Sequence, residues 1–173
     1  KGSRAFSLFS LSKLLKCFTL LNVFHVVLYE PEIAGNAGSI ARTCLATGVT
    51  LHLIRPLGFR LDEQSLKRAG MDYWQDANVQ VHNSYEVFLE VFRASYELGR
   101  VFALTTKGTK THSEFPYQAG DVLLFGPESR GLPEPVRTSV TQVRIPMKET
   151  RSLNLAVSVA VVVYEAWRQQ QFQ

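Results

Sequence analysis

Apolar positions along the chain fall into short continuous runs separated by polar stretches that carry glycine or proline. Val23–Tyr29 (VFHVVLY), Leu51–Ile54 (LHLI), Val101–Leu104 (VFAL) and Val122–Phe125 (VLLF) read as strands, and Val143–Ile145, closed by Pro146, reads as a fifth. Runs without polar alternation predict strands buried on both faces, as in a parallel sheet. Tyr85, Phe88, Leu89, Phe92 and Tyr96 recur at helical spacing, with Asn83 and Glu86 near the start and Gly99 as the stop. That spacing predicts one helix. Strands alternating with helices predict an α/β domain with crossover connections. The segment Ser152–Trp167 contains the run Val159-Ala160-Val161-Val162-Val163, whose β-branched side chains favour extended backbone. Its length favours a helix instead. A helix apolar nearly all round needs burial in the core or against a partner subunit.

The chain of 173 residues fits one domain, and 46% apolar with 20% charged residues is the balance of a globular protein. Disorder, collagen-like repeats and a disulfide scaffold are excluded. Cys17 and Cys44 form no C-x-x-C pair, which suits a reducing compartment. The net charge of +4 is unevenly placed. Lys1, Arg4, Lys13 and Lys16 lie in residues 1–22, which hold four serines and no acid, so the remainder carries 15 basic and 15 acidic residues. Residues 1–22 are expected to be a leader outside the fold: a vector-derived or upstream-translated stretch, or else a transit peptide. No window supplies the roughly 20 apolar residues a membrane span needs. Residues 23–173 are expected to form the domain.

Three loops that follow predicted strands draw attention, because ligands of open α/β sheets bind beyond the carboxyl ends of strands. On a helix, the stretch from Glu30 to Arg42 places Ile40, Ala41, Cys44 and Leu45 on one face and Asn36, Ser39, Arg42 and Thr43 on the other. Arg42 is then a grip for a phosphate or carboxylate, or a solvated surface residue, and this window alone favours the latter. The second loop, Phe125–Pro133 (FGPESRGLP), runs from a buried strand into two glycines and two prolines. Its Glu128 accepts hydrogen bonds from a ligand, ties down Arg42 or Arg130, or belongs to a rigid turn with a surface ion pair. The third joins Ile145-Pro146-Met147 to Arg151-Ser152-Leu153-Asn154, where Ser152 suits a helix N-cap and Asn154 an exposed first turn. His25, His52, His82 and His112 stand singly, with no metal-ligand spacing; His25 and His52 read as core residues.

Together these stretches resemble the SPOUT superfamily of trefoil-knotted RNA methyltransferases, and within it the small TrmL (YibK-like) tRNA 2′-O-methyltransferases. The residues that carry the resemblance are VVLYEPEIAGNAGSIART (26–43), LHLIRPLGF (51–59), KRAGMDYW (67–74), FALTTKGT (102–109), LLFGPESRGLP (123–133) and IPM with RSLNLAVSVAVVVYEAWRQ (145–169). The resemblance implies a single-domain, Rossmann-like parallel sheet with a C-terminal trefoil knot, a homodimer, no membrane association and no metal. It implies S-adenosylmethionine held at Leu104, Gly126, Ile145, Ser152 and Leu153. It also implies reactive positions at Asn36, Arg42, Glu128 and Asn154, with Ser152 beside them. The implied reaction is methylation of the ribose 2′-hydroxyl of tRNA nucleotide 34, in a leucine tRNA, in the cytoplasm, or in an organelle if residues 1–22 are a transit peptide. Another tRNA position or ribosomal RNA is the alternative target, and a non-catalytic dimeric RNA-binding protein is the alternative of a different class. Arg42 stays protonated at ordinary pH, so its expected part is to orient the hydroxyl and stabilise developing negative charge. Glu128 and Asn154 are expected to fix Arg42 and the loops. Gly35, Ala37, Ala156 and Val157 depart from the family pattern, softening the helix start and removing hydrogen bonds near the cofactor.

Overall fold

The structure, a computed structural model, describes residues 24–68 and 73–173. The expected leader 1–22 lies outside the described residues. Seven strands form one sheet: β1 (His25–Tyr29), β2 (Thr50–Ile54), β3 (Val79–His82), β4 (Val101–Leu104), β5 (Lys110–Thr111), β6 (Val122–Phe125) and β7 (Thr141–Arg144). Their spatial order is β3-β2-β1-β6-β4-β7-β5, with every pairing parallel. The helices are α1 (Ala34–Thr47), α2 (Glu63–Arg68), α3 (Tyr85–Val91), α4 (Arg93–Glu97), α5 (Glu134–Thr138) and α6 (Leu155–Gln169).

Alternate side chains of the central strands feed two apolar layers, which is why their sequences are continuously apolar. On one face Val26, Leu28, Leu51, Leu53, Leu123 and Phe125 pack with Ile40 and Cys44 of α1 and with Val159, Val162 and Val163 of α6. On the other, Val27, Ile54, Val122 and Leu124 pack with Phe88, Phe92, Leu132 and Val136. Each large side chain so enclosed contributes roughly 1.5–3 kcal/mol.

Several local expectations are corrected. Strand β3 is an additional edge strand. Its alternating Val-Gln-Val-His pattern leaves Gln80 and Val81 exposed, so it lacked the continuous apolar signal of the central strands. Strand β7 covers Thr141–Arg144 and stops short of Ile145. The single helix expected up to Gly99 is two helices broken at Phe92, whose φ of −104° and ψ of 22° let its ring stack on Phe88 at 4.7 Å. The helical assignment of the valine-rich run holds, but α6 starts after Asn154. The Asn154 side chain accepts from the Ala156 and Val157 backbone N–H groups, making it the N-cap that Ser152 was expected to be. On α1 the buried face is Ala37, Ile40, Ala41 and Cys44, while Leu45 is exposed.

The histidines are also less scattered than their spacing implied. His25, His52 and His82 lie on three adjacent parallel strands, each two register positions further along than the last. His25 Nδ1 is 3.1 Å from His52 Nε2, and His52 Nδ1 is 2.9 Å from His82 Nε2. Phe88 and Phe92 pack against these rings. Burial, reinforced by the two neighbouring imidazoles, pushes the His52 pKa well below the usual value, and burial lowers that of His82.

Candidate active site

The chain leaves the sheet through three loops at the carboxyl ends of the neighbouring strands β6, β4 and β7. Between them lies a cavity of about 570 Å³. Leu104, Gly126, Ile145, Ser152 and Leu153, the five positions expected to contact a cofactor, all line it. Asn36, Glu128 and Asn154 line it as well. Arg42 does not. The size falls within the range of small-molecule sites, about 300–1,000 Å³.

The wall beside α1 is built by side chains remote in sequence. The Glu32 backbone N–H donates to Glu128 Oε2 (2.9 Å), the Ile33 N–H to Glu128 Oε1 (3.3 Å), and Asn36 Nδ2 to Glu128 Oε1 (2.9 Å). Helix α1 has Ile33 at its N-cap, with no side-chain cap and no acid in its first turn. The Glu128 carboxylate therefore supplies from across the sheet the negative charge that a helix start favours. Asn154 Nδ2 donates to Asn36 Oδ1 (3.0 Å), joining the start of α6 to the same network. One chain of hydrogen bonds thus runs from Glu128 through Asn36 to Asn154 and touches all three motifs.

A second set of contacts runs in the opposite direction. Ser129 donates to Glu32 through its backbone N–H (3.0 Å to Oε2) and through Oγ (2.7 Å to Oε1). Arg130 pairs with Glu30 and with Glu32. The Glu32 carboxyl is held below its ordinary pKa chiefly by the Ser129 hydroxyl, with Arg130 a lesser cause. Glu32 and Ser129 were not singled out in the sequence; their only signal was membership of two motif loops. Glu128 and Asn154 hold Asn36 and the 32–33 backbone, not Arg42 as expected.

Gly126 is required by shape. A Cβ there would lie 2.3 Å from the Leu132 nitrogen and 2.5 Å from the Gly131 carbonyl carbon, because the 126–132 loop folds back on itself. Arg42 is exposed on α1, its guanidinium 4.4 Å from the centre of the Tyr73 ring. It sits six residues beyond Asn36, about 9 Å further along the helix axis. Ala37 is fully buried, so the methyl there leaves no polar group to satisfy, and space beside Gly35 is open. Ala156 packs partly against the core, and Val157 is exposed. Among the described residues no cluster of three His, Cys, Asp or Glu is arranged to hold a metal ion.

A parallel sheet with a ligand-sized cavity beyond its carboxyl edge places this chain among the α/β proteins that offer a ligand site at their strand ends. The chain belongs to the SpoU rRNA Methylase family, whose profile matches residues 23–164. It is 51% identical over 154 residues, 87% of this chain and 97% of the relative, to a tRNA (cytidine(34)-2′-O)-methyltransferase of Methylovorus glucosotrophus. It is 50% identical over 151 residues to the protein of the same name from Escherichia coli K12, covering 85% of this chain and 94% of that one. A solved structure described as giving insights into the 2-OH methylation of C/U34 on tRNA superposes with a TM-score of 0.81 at 50% identity, over 88% of this chain and 99% of that one. The SpoU methyltransferase AviRb of Streptomyces viridochromogenes, solved in complex with AdoMet, superposes with a TM-score of 0.75 at 26% identity, over 87% of this chain and 58% of AviRb.

Proposed function

We propose that this protein transfers a methyl group from S-adenosylmethionine to the ribose 2′-hydroxyl of tRNA nucleotide 34. The observation that carries the reading is the cavity at which the Glu128–Asn36–Asn154 network and the five expected cofactor positions converge. The relatives at 50–51% identity, matched over nearly their whole length, support the substrate.

The lining fits the cofactor. Leu104, Ile145, Met147 and Leu153 offer apolar contact for a purine, and Thr105, Ser152 and Ser158 offer hydroxyls for ribose and the amino-acid tail. The bound cofactor supplies an electrophilic methyl group on a sulfonium. The protein's part is to hold the acceptor hydroxyl in line with it, and positioning of that kind supplies much of the acceleration. Glu128, already accepting from three donors, acts as a clamp on α1. Asn36 and Asn154 keep the mouth of the cavity in register. Arg42 orients the hydroxyl and stabilises the negative charge that develops as its proton leaves.

Arg42 lies outside the cavity of its own chain, which points to a site completed by a second copy. Helix α6 supports that assembly. It buries Leu155, Val159, Val162 and Val163 but leaves a stripe of Val157, Val161 and Tyr164 exposed, and Ile33 and Leu45 at the cap and on α1 are exposed too. A homodimer covers this stripe, and light scattering on purified protein tests it. The trefoil threading implied by the sequence is supported by membership of the SpoU rRNA Methylase family. Action in the cytoplasm is supported by the bacterial origin of the relatives named tRNA methyltransferases.

Incubation with labelled S-adenosylmethionine and an unmodified leucine tRNA transcript tests the activity. Methylation of nucleotide 34 is the expected product, and S-adenosylmethionine binding without methylation of any RNA would favour a non-catalytic protein.

A further inference from the structure

We propose that a hollow beside the cofactor cavity, framed by Arg144 and Arg151, is a subsite for a backbone phosphate of the substrate RNA. The proposal rests on the RNA-methylating reading above and gives that site its anion grip. The hollow encloses about 280 Å³ and adjoins the first cavity through Thr106, Ile145, Met147 and Arg151, which line both. It sits where the chain leaves β4 and β7, strands that pair directly.

Exposed arginines free of carboxylates also occur elsewhere among the described residues, at Arg42, Arg55 and Arg93, but Arg144 and Arg151 line a concavity next to the cofactor cavity. Arg60, Arg100, Arg130, Arg137 and Arg168 each pair with a carboxylate at 3.4 Å or closer. Arg144 and Arg151 are exposed and form no ion pair among the described residues, and neither do the neighbouring Lys107, Lys110 and Lys148. Two carboxylates are at hand in the same loops. Glu114 is occupied by hydrogen bonds from Thr111, which lower its pKa more than the nearby Lys110 and Arg144 do. Glu149 is exposed and unpaired in sequence next to Lys148.

These exposed cations outnumber the two carboxylates of the same loops, so the local charge favours an anion. That cluster persists in a domain whose overall charge, from residue 23 onward, is zero. A guanidinium offers paired N–H donors that match phosphate oxygens. The Thr150 hydroxyl donates to the Ser152 carbonyl (3.0 Å), a local turn that carries Arg151 at the edge of the hollow. The carboxylate of the cofactor's amino-acid tail has related chemistry, but Arg144 lines only the second hollow and not the cofactor cavity. A phosphodiester next to the acceptor ribose is the anion the geometry points to.

The test compares the full-length wild-type protein with Arg144→Gln, Arg144→Lys and Arg151→Gln. Readouts are tRNA affinity across a salt series, KM for tRNA, and S-adenosylmethionine affinity by calorimetry. Arg144→Gln is expected to raise KM for tRNA about five- to tenfold and to reduce the slope of log affinity against log salt by about 1, with cofactor affinity unchanged. Arg144→Lys should restore the slope, because the charge returns, while regaining only part of the affinity. Arg93→Gln, on the exposed side of α4, should change none of these and marks the effect of losing any one cation. An unchanged slope and KM in Arg144→Gln overturns the subsite. Weakened cofactor binding with tRNA affinity intact overturns it too, by assigning the arginine to the cofactor tail. A wild-type protein that binds no tRNA brings down the functional reading itself, an outcome distinct from a neutral Arg144.

Discussion

Glu32 and Glu128 each use a carboxylate to cap backbone N–H groups in the other's loop. Glu128 accepts from Glu32 and Ile33, and Glu32 accepts from Ser129. The residues are 96 positions apart, yet each holds the loop that carries the other. This reciprocal clasp ties the start of α1 to the glycine-rich wall of the cavity. Removing either carboxylate leaves donors at the cavity wall without partners and loosens both loops at once.

Glu128→Gln tests the clasp. An amide presents an N–H₂ group where the carboxylate met three donors, so at least one contact turns repulsive. We expect a stability loss of about 1–2 kcal/mol in urea titrations and a fall of at least about tenfold in methylation rate. Unchanged kinetics would show that the clasp does not serve the site.

Gly126→Ala forces a Cβ to within 2.3 Å of the Leu132 backbone nitrogen, so the loop must move. The strain should cost about 1–3 kcal/mol. S-adenosylmethionine affinity, read by calorimetry, should fall more than tenfold, because Gly126 lines the cavity.

Arg42→Ala should leave cofactor affinity intact and reduce turnover by at least about 100-fold. Because Arg42 lies away from its own cavity, mixing Arg42→Ala with Gly126→Ala chains is informative. In the proposed homodimer, mixed pairs bring one intact cavity to one intact Arg42, so exchange of subunits should recover activity, up to about a quarter of wild type for random pairing. No recovery would place Arg42 at the cavity of its own chain.

The three-histidine ladder gives stability a pH dependence with a definite sign. The pKa of His52 and that of His82 are depressed in the folded state, so unfolding takes up protons below the unfolded value near 6.5. The contribution is complete above that value and is lost as pH falls beneath it, at up to about 1.4 kcal/mol per pH unit for each proton taken up. Urea midpoints measured from pH 7.5 to pH 5 should decline, and His52→Leu should flatten the decline. A midpoint independent of pH in the wild type would contradict the ladder's neutral state.

Continuous apolar runs made the central strands legible, because only buried parallel strands can be apolar on both faces. The same rule hid β3: an edge strand alternates, and its Gln80 lies in solvent. Phe92 fitted the helical spacing and its N–H still bonds the Phe88 carbonyl, yet its φ of −104° and ψ of 22° interrupt the regular helix there. The site positions came from motif resemblance, and the fold brings Asn36, Glu128 and Asn154 into one network. Their partners were not legible. Which backbone groups Glu128 caps, and whether His25, His52 and His82 meet, depends on strand register across the sheet, and no local pattern encodes that. Ser152 and Asn154 are both good caps by residue type, so only geometry chose between them.

The most direct measurement of the central claim is the position of the methyl group. Unmodified leucine tRNA, incubated with the protein and isotopically labelled S-adenosylmethionine, is digested and sequenced by mass spectrometry. The account predicts label on the ribose of nucleotide 34 in the wild type and its loss in Arg42→Ala. Label at any other nucleotide, on a base, or undiminished in Arg42→Ala would contradict it.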